Sequence, residues 1–343
     1  MRRLLPLLFI LAVLLCACGQ QQAGFSVLTV WYTADDPLAP VFEAMAEDYN
    51  AARPRGSLAV EGRRFEDEDA LTRALNSGAV PDLLLCSHAL AFSLAEAGQL
   101  KPQAVTVAYP AWLEARSPCV GTGFYPVGFA LPLICSPSDA PGDFLALLEA
   151  AAAYGRAAGE PWMSLDAVGP VFYQLLLEQG REFTADFQRE TLNEDYASLY
   201  NALADAVFDG GVTPDGYGRP CRIAASDALS GEELGAYSIH PLSAGTLLAE
   251  GRGVAILSRE PRSQRSLGLF LSWLTEPGRL AGAALEAGLV PALPVPAAPD
   301  DPLGAALAKL SGRELHLPDG ESQYYRNKMN FEKQLRAALE LLH

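Results

Sequence analysis

Positive charge is scarce in this sequence. It holds 25 Lys and Arg residues against 41 Asp and Glu residues, a formal net charge of −16 at neutral pH. A protein that binds nucleic acid needs a basic surface to neutralise phosphates, so this balance argues against a nucleic-acid partner. The acidity is compatible with a protein outside the cell and does not decide the fold.

Motifs of catalysis and metal binding are also missing. The four histidines and six cysteines form no H-E-x-x-H, no C-x-x-C and no other zinc spacing, and neither G-x-S-x-G nor G-x-x-x-x-G-K-[ST] occurs. We therefore predict a protein without a metal site, without a cofactor and without enzymatic activity. An extracellular hydrolase that uses two carboxylates stays open as an alternative, because such pairs leave no fixed spacing in a sequence.

Long apolar runs are absent beyond the N-terminus. Arg2 and Arg3 precede the apolar run Leu4 to Leu15, which is too short for an ordinary transmembrane helix and is typical of a signal peptide. The run ends in L-C-A-C-G, which resembles the lipobox of bacterial lipoproteins. That resemblance implies removal of residues 1–17, a lipid on Cys18 and a short tether at 18–24. A plain signal peptide, or a weak anchor without processing, is the alternative.

Four cysteines would remain in the mature chain. Cys86 and Cys135 lie in apolar, strand-like runs, where we expect them to be buried. An exported chain permits disulfides. A bond between Cys119 and Cys221 is one candidate, which the spacing alone does not establish.

Strand and helix patterns alternate from residue 26 onwards. Ser26 to Trp31 is a strand pattern, Pro40 to Asn50 a helix, and Leu58 to Glu61 a second strand. Leu83 to Cys86 is a short, unbroken apolar run, as expected of a strand that is buried on both faces of a parallel sheet. The alternation predicts the α/β class with doubly wound sheets. Ligands of such sheets bind at the carboxyl ends of the strands.

Several segments resemble one family. ALTRALNSGAVPDLLL followed by LAEAGQLKP is similar to the first lobe of extracellular solute-binding proteins, the maltose-binding-protein-like receptors of ABC importers. FYPVGFALPLICSPS and GVAILS resemble the two segments by which those receptors pass between lobes. The 343 residues suffice for two domains. The resemblance implies two α/β lobes joined by a hinge, with lobe one at 25–127 and 255–300, and lobe two at 128–254 and 301–343.

The same resemblance implies a function. A receptor of this family captures a small solute and delivers it to the permease subunits of an ABC importer. The ligand class that the resemblance most suggests is a carbohydrate. We expect a monomer that is anchored through Cys18 to the outer face of the cytoplasmic membrane. A lipoprotein that senses a ligand or scaffolds a surface complex, without transport, is the alternative.

Four candidate ligand-binding residues lie at the ends of predicted strands of lobe one. Trp31 and Tyr32 offer aromatic faces for a sugar ring, although Trp31 equally suits the core. Successive side chains of a strand point to opposite faces, so only one of the two can face a cleft, and we favour Tyr32. Ser87 and His88 can bind ligand hydroxyls; alternatively, Ser87 caps a helix and His88 is merely exposed.

Two candidates lie in lobe two. Trp162 is a tryptophan in a loop, outside any helical stripe, so it is a candidate for lining the cleft. Asp227 can accept hydrogen bonds from hydroxyls or pair with a cationic ligand, and it can equally cap a turn. Sugar-binding relatives often carry an aromatic residue in that region, and this chain does not.

Overall fold

The computed structural model describes most of the chain beyond the N-terminal segment. The described residues are 27–102, 104–141, 143–166, 168–178, 194–213, 219–229, 234, 237–258, 263–297, 299–318, 333 and 337. Cys18, the predicted signal peptide and the tether lie outside them, as do most residues after 318. Within the described residues, no helix is both long enough and apolar enough to cross a membrane.

A six-stranded sheet forms the centre of lobe one, in the order β12-β4-β11-β3-β1-β2. Its strands are β1 (Val27–Thr33), β2 (Ala59–Phe65), β3 (Leu83–Ser87), β4 (Phe124–Ala130), β11 (Glu250–Ile256) and β12 (Val290–Pro291). The first three are parallel, as predicted, while β11 runs antiparallel to both β3 and β4. The carboxyl ends of β1 to β4 and the amino end of β11 therefore share one edge.

Strand β2 is longer than the sequence predicted. The polar run after Glu61 suggested that the strand ends there, yet pairing with β1 continues to Phe65. As the outermost strand, β2 can expose Arg63 and Arg64 to water without burying charge.

Helices cover the lobe-one sheet, and two of them begin at a capping side chain. The helices are α1 (Ala39–Ala52), α2 (Glu68–Asn76), α3 (His88–Glu96), α4 (Ala111–Arg116), α8 (Gln264–Leu274) and α9 (Pro277–Glu286). Oδ1 of Asp67 accepts a hydrogen bond from the Ala70 amide of α2 at 2.6 Å, and Oγ of Ser87 accepts one from the Leu90 amide of α3 at 3.2 Å. Such caps satisfy amides that a helix leaves unpaired at its start.

Lobe two has its own sheet of five strands, in the order β7-β6-β8-β5-β9. These are β5 (Pro132–Ser136), β6 (Met163–Leu165), β7 (Val212–Thr213), β8 (Cys221–Ala225) and β9 (Ser238–Pro241). Its helices are α5 (Phe144–Ala158), α6 (Val168–Glu178) and α7 (Glu194–Phe208), with a 3₁₀ turn at Ser226–Leu229. Strand β6 is parallel to β8, and β5 is antiparallel to β8.

The chain crosses between the lobes at two adjacent places. β4 passes through Leu131 into β5, and β10 (Leu247–Leu248) passes through Ala249 into β11. The boundaries placed at 127/128 and 254/255 cut through β4 and β11, both of which belong wholly to the lobe-one sheet. Each crossing interrupts the strands by a single residue, and an apolar sequence run does not show where one sheet ends.

The last described elements tie the lobes together. Helix α10 (Pro302–Leu310) packs on β12 and α9 of lobe one and on β9 of lobe two. Strand β13 (Leu315–His316) pairs with β10. One apolar core extends from Val127 in lobe one past Leu131 to Ala224 in lobe two. The assignment of residues 301–343 to lobe two is therefore incomplete for α10, which contacts both lobes.

All four cysteines described are free and buried. Cys119 packs in a cluster of lobe one with Cys86, whereas Cys221 packs in the core of lobe two. The suggested bond between Cys119 and Cys221 is absent, because each side chain is enclosed in a different lobe. The prediction that Cys86 and Cys135 are buried is confirmed.

Candidate functional site

A small pocket of about 130 Å³ lies where the chain crosses between the lobes. We call it the crossing pocket. It draws on the first crossing, on the second crossing and on lobe two, and its nine lining residues are Ala130, Leu131, Pro132, Leu248, Glu250, Arg252, Pro170, Ala225 and Asp227. Two larger hollows, of about 540 and 470 Å³, are each lined by residues of a single lobe. Only a pocket that both lobes line changes shape when the lobes move, so the crossing pocket is the candidate site.

Arg252 brings a positive charge to the lobe-one wall of this pocket. It lies in β11, opposite Ser87 of β3 and Gly128 of β4. Its Nη1 is 4.0 Å from Oδ2 of Asp36, in the loop that follows β1. Asp36 is 4% exposed, and its Oδ1 accepts a hydrogen bond from the Leu38 amide at 2.9 Å. Burial raises the pKa of Asp36, and the charge of Arg252 opposes that shift.

Asp227 brings a carboxylate from lobe two. It lies in the 3₁₀ turn directly after β8, and its Oδ1 accepts a hydrogen bond from the Ala228 amide at 3.1 Å. The neighbouring Ser226 amide donates to the Leu131 carbonyl at 2.9 Å, which fixes the turn to the first crossing. Asp227 therefore bonds within its own turn and also lines the pocket, and its contact with a ligand stays a prediction.

Gly288 lets the two lobes approach each other beside this turn. A Cβ atom on Gly288 would lie 2.5 Å from the Ser226 carbonyl oxygen and 2.9 Å from the Asp227 Cα. Its φ of +70° also favours glycine. The lobe-one loop can therefore touch the turn that carries Asp227.

Ser87 and His88 have separate surroundings, although they are adjacent. Half-buried Ser87 ends β3 at the cleft edge and caps α3, as the alternative interpretation held. His88 is 2% exposed, and its Nε2 lies 2.6 Å from Oγ of Ser117, inside lobe one. The idea that His88 is merely exposed is wrong. As the first residue of α3, it turns back onto the sheet, and its ring packs 6.0 Å from that of Phe124.

Burial gives His88 a testable effect on stability. It lowers the pKa of His88 to about 4, from an ordinary value of 6.5. Between these two values the unfolded chain binds a proton that the folded protein does not, so stability is complete above about pH 6.5 and falls as the pH drops towards 4. The expected loss is on the order of 3 kcal/mol.

Urea unfolding of the wild type and of His88→Gln across pH 4 to 7 measures this effect. Gln retains a group that can reach Ser117 but does not titrate. The variant should lose less stability on acidification than the wild type, because carboxylates titrate equally in both proteins. Parallel pH profiles would contradict the assignment.

Trp31 and Tyr32 point to opposite faces of the sheet, as strand geometry requires, but both are buried in lobe one. The Trp31 ring lies 4.9 Å from that of Phe65. The Tyr32 hydroxyl donates to Glu43 of α1 at 2.7 Å, and its ring occupies the space that Gly62 leaves open. Burial, and then Glu43, raise the pKa of Tyr32 to about 12. Neither ring lines the crossing pocket, because β1 extends to Thr33 and both residues lie within the strand.

Trp162 also lies away from the crossing pocket. It immediately precedes β6, and its amide donates to the Gly211 carbonyl at 2.9 Å. In the parallel β6–β8 pair, the amino end of β6 lies beside Cys221, and the carboxyl end of β8 at Ala225 meets the crossing. Trp162 is therefore at the far edge of the lobe-two sheet, where its ring packs on the core. Ligand loops follow parallel strands, and this loop precedes one.

Three polar residues at the site escaped the sequence-based prediction: Asp36, Glu250 and Arg252. A signal for Arg252 was present, because a charge inside the apolar strand run G-R-G-V-A-I-L is unusual unless it has a partner or a role. Asp36 carried a weaker signal as an acidic residue in the loop after the first strand. Among the described residues, no group of three or more His, Cys, Asp or Glu side chains is placed to hold a metal ion.

Solved structures share this architecture, although no family model matches the sequence. The cyclic alpha-maltosyl-1,6-maltose binding protein of Arthrobacter globiformis superposes with a TM-score of 0.67 at 17% identity, covering 92% of this chain and 94% of that one. Maltose-bound MalE3 of T. maritima gives 0.68 at 14% identity, with 92% and 95% coverage. UgpB of Mycobacterium tuberculosis, in complex with glycerophosphocholine, gives 0.60 at 17% identity, with 91% and 98% coverage.

This chain has the fold of the substrate-binding proteins of ABC transporters. The predicted two-lobed α/β architecture is thereby confirmed, and so is the resemblance to maltose-binding proteins at the level of the fold. The first of these structures is a binding protein by name, and the other two contain a bound small molecule, in line with the expectation of a non-enzymatic protein. In a substrate-binding-protein fold the crossings join the lobes, and the crossing pocket lies at that junction.

Proposed function

We propose that this protein is a receptor that binds a small polar solute in the crossing pocket and closes its lobes around it. One observation carries the proposal: a single pocket is lined by both crossings and by the lobe-two turn that holds Asp227. A solute that contacts both walls stabilises the closed arrangement over the open one, which is the only way a ligand can shift such an equilibrium.

The polar groups of the pocket favour a solute rich in hydroxyl groups. Arg252 supplies hydrogen-bond donors, while Glu250 and Asp227 supply carboxylate acceptors. A hydroxyl group donates and accepts, so a polyol or a sugar satisfies both kinds of side chain at neighbouring atoms. This extends the carbohydrate expectation, and the solved structure of a fold neighbour from Agrobacterium vitis contains bound D-mannitol.

The size of the pocket favours a small member of that class. Its volume is about 130 Å³, against about 300 to 1,000 Å³ for pockets that hold drug-sized ligands. None of the described residues lining it is aromatic, so a long stacking surface for an oligosaccharide is not provided there. We propose a solute of about monosaccharide size.

Release of bound solute tests the proposal directly. Protein purified without refolding is denatured, and the released small molecules are identified by mass spectrometry. Thermal unfolding with D-mannitol, D-glucose and maltose then shows whether pure compounds raise the melting temperature. We expect one stoichiometric hydroxyl-rich solute, recovered chemically unchanged. A hydrolysed product would favour the hydrolase, and no solute together with no thermal shift would contradict a receptor of this class.

We further propose that the receptor is lipid-anchored on the outer face of the cytoplasmic membrane and delivers its solute to the permease subunits of an ABC importer. The N-terminal series of basic, apolar and L-C-A-C segments supports the anchor, and the fold supports delivery by analogy. Permease genes beside this gene would favour transport, and their absence would favour the sensing alternative. We propose that it acts as a monomer.

Replacing Cys18 by alanine tests the anchor. Without the thiol no lipid can be attached, so the variant should leave the membrane fraction or retain its signal peptide. Cell fractionation and intact-protein mass spectrometry report both outcomes, and Cys16→Ala, which alters the same segment two residues earlier, is the matched control. Unchanged mass, processing and membrane retention in Cys18→Ala would rule the anchor out.

A further inference from the structure

We propose that Asp36 is a positioning residue: it holds the guanidinium of Arg252 at the lobe-one wall of the crossing pocket, where Arg252 donates hydrogen bonds to an oxygen of the solute. The inference rests on the proposed function, because it assigns a role within the same site. Asp36 itself does not line the pocket.

The two residues come from parts of the chain that are distant in sequence. Asp36 follows β1, Arg252 lies in β11, and β3 separates these two strands in the sheet. Their charged groups meet at the edge where β1 and β3 end, with 4.0 Å between Nη1 and Oδ2. At this distance the carboxylate of Asp36 attracts the guanidinium of Arg252 through its charge. This attraction holds the guanidinium beside the end of β3.

Burial explains why Asp36 supports the site without touching solute. Only 2% of the Asp36 side chain is exposed, whereas 27% of the Arg252 side chain is exposed. The other carboxylate oxygen of Asp36 accepts the Leu38 amide at the start of α1, so the carboxylate cannot turn towards the pocket without losing that bond. A fixed, buried anion thus stands behind a guanidinium whose side chain is partly exposed and lines the pocket.

Asp82 serves as a matched control for Asp36, because it separates a loss of affinity from a general loss of stability. Asp82 also lies in lobe one and is 9% exposed. Its Oδ2 accepts the Thr29 amide at 2.9 Å, at the edge of the sheet opposite Ser87. Asp36→Asn and Asp82→Asn remove one charge each, and each keeps an oxygen that can accept an amide hydrogen bond. Both variants should lose some stability, and only Asp36→Asn should lose affinity.

Isothermal titration with D-mannitol, D-glucose and maltose measures the affinity of the wild type and of both variants. For any of these solutes that the wild type binds, Asp36→Asn should weaken binding by roughly tenfold or more, and Asp82→Asn should bind as the wild type does. Equal affinity of Asp36→Asn and the wild type would overturn the proposal. Equal losses in both variants would also overturn it, because the effect would then be a general one on lobe one.

A double-mutant cycle tests the pair without any solute. The urea unfolding midpoints of the wild type, Asp36→Asn, Arg252→Gln and the double variant should be non-additive, because removing either charge removes the same interaction. Additive midpoints would overturn the positioning role even if solute binds. If the wild type binds none of the three solutes, the proposed ligand class fails, and the cycle still decides whether Asp36 holds Arg252.

Discussion

Alanine in place of Gly211 is expected to destabilise lobe two by about 3 kcal/mol or more, because the new methyl group has no space. A Cβ atom on Gly211 would lie 1.9 Å from the carbonyl oxygen of Ala151 in α5 and 2.3 Å from its carbonyl carbon. These are backbone atoms of a helix that packs against α7, so no side-chain rotation relieves the overlap. Helix α5 would have to move away from the turn between α7 and β7.

The preceding glycine is the matched control. Gly210 has a φ of +73°, and its added Cβ would meet nothing within 4 Å. Gly210→Ala should therefore cost only the backbone strain of a left-handed residue, about 1 to 2 kcal/mol. Urea unfolding of both variants measures the difference. If Gly211→Ala were no less stable than Gly210→Ala, the close contact between α5 and the turn would not exist in solution.

These adjacent glycines show what sequence can and cannot provide. The pair G-G is typical of the end of a helix, and α7 ends just before it. The pair does not reveal that one glycine supplies backbone conformation and the other supplies space for a second helix. The contact joins residues 151 and 211, and such tertiary approaches leave no mark in local pattern.

The fold was largely predictable because its elements follow local rules. An unbroken apolar run marked β3, alternation of strand and helix marked a parallel sheet, and serine at position 87 marked the start of α3. Lobe boundaries were less predictable. β4 and β5 form one continuous apolar stretch of chain, and only the pairing partners on either side of Leu131 change.

The site was harder to predict because it depends on side-chain direction and on strand ends. Tryptophan and tyrosine near the end of β1 suggested stacking residues, and a strand that continues to Thr33 buries both instead. Asp227 lines the crossing pocket because it lies in the 3₁₀ turn that follows β8, and its role in binding stays a prediction. The sequence-based prediction missed Arg252 because this residue lies in β11, an antiparallel strand. The amino end of β11, rather than its carboxyl end, faces the cleft.

Replacing Asp227 by asparagine is expected to weaken solute binding by about ten- to a hundredfold. Asp227 is the only acidic residue that lobe two contributes to the described lining of the crossing pocket. A hydrogen bond to a charged group contributes about 1.5 to 3 kcal/mol, and this bond would form only when the lobe-two turn reaches the solute. The substitution keeps the size of the side chain and an oxygen for the Ala228 amide, so the turn should remain intact.

Asp209→Asn is the control within the same lobe. Asp209 pairs with Arg156 on the outer surface of lobe two and does not line the crossing pocket. Trp162→Phe, at the far edge of the lobe-two sheet, is a second control that now has an expected null effect on affinity. Calorimetry with the solute identified by mass spectrometry measures the affinity of all three variants.

Because Asp227 lies beside Gly288, where the lobes touch, small-angle scattering with the same solute should also show less compaction in Asp227→Asn. A wild-type affinity and wild-type compaction in that variant would remove lobe two from the proposed binding site.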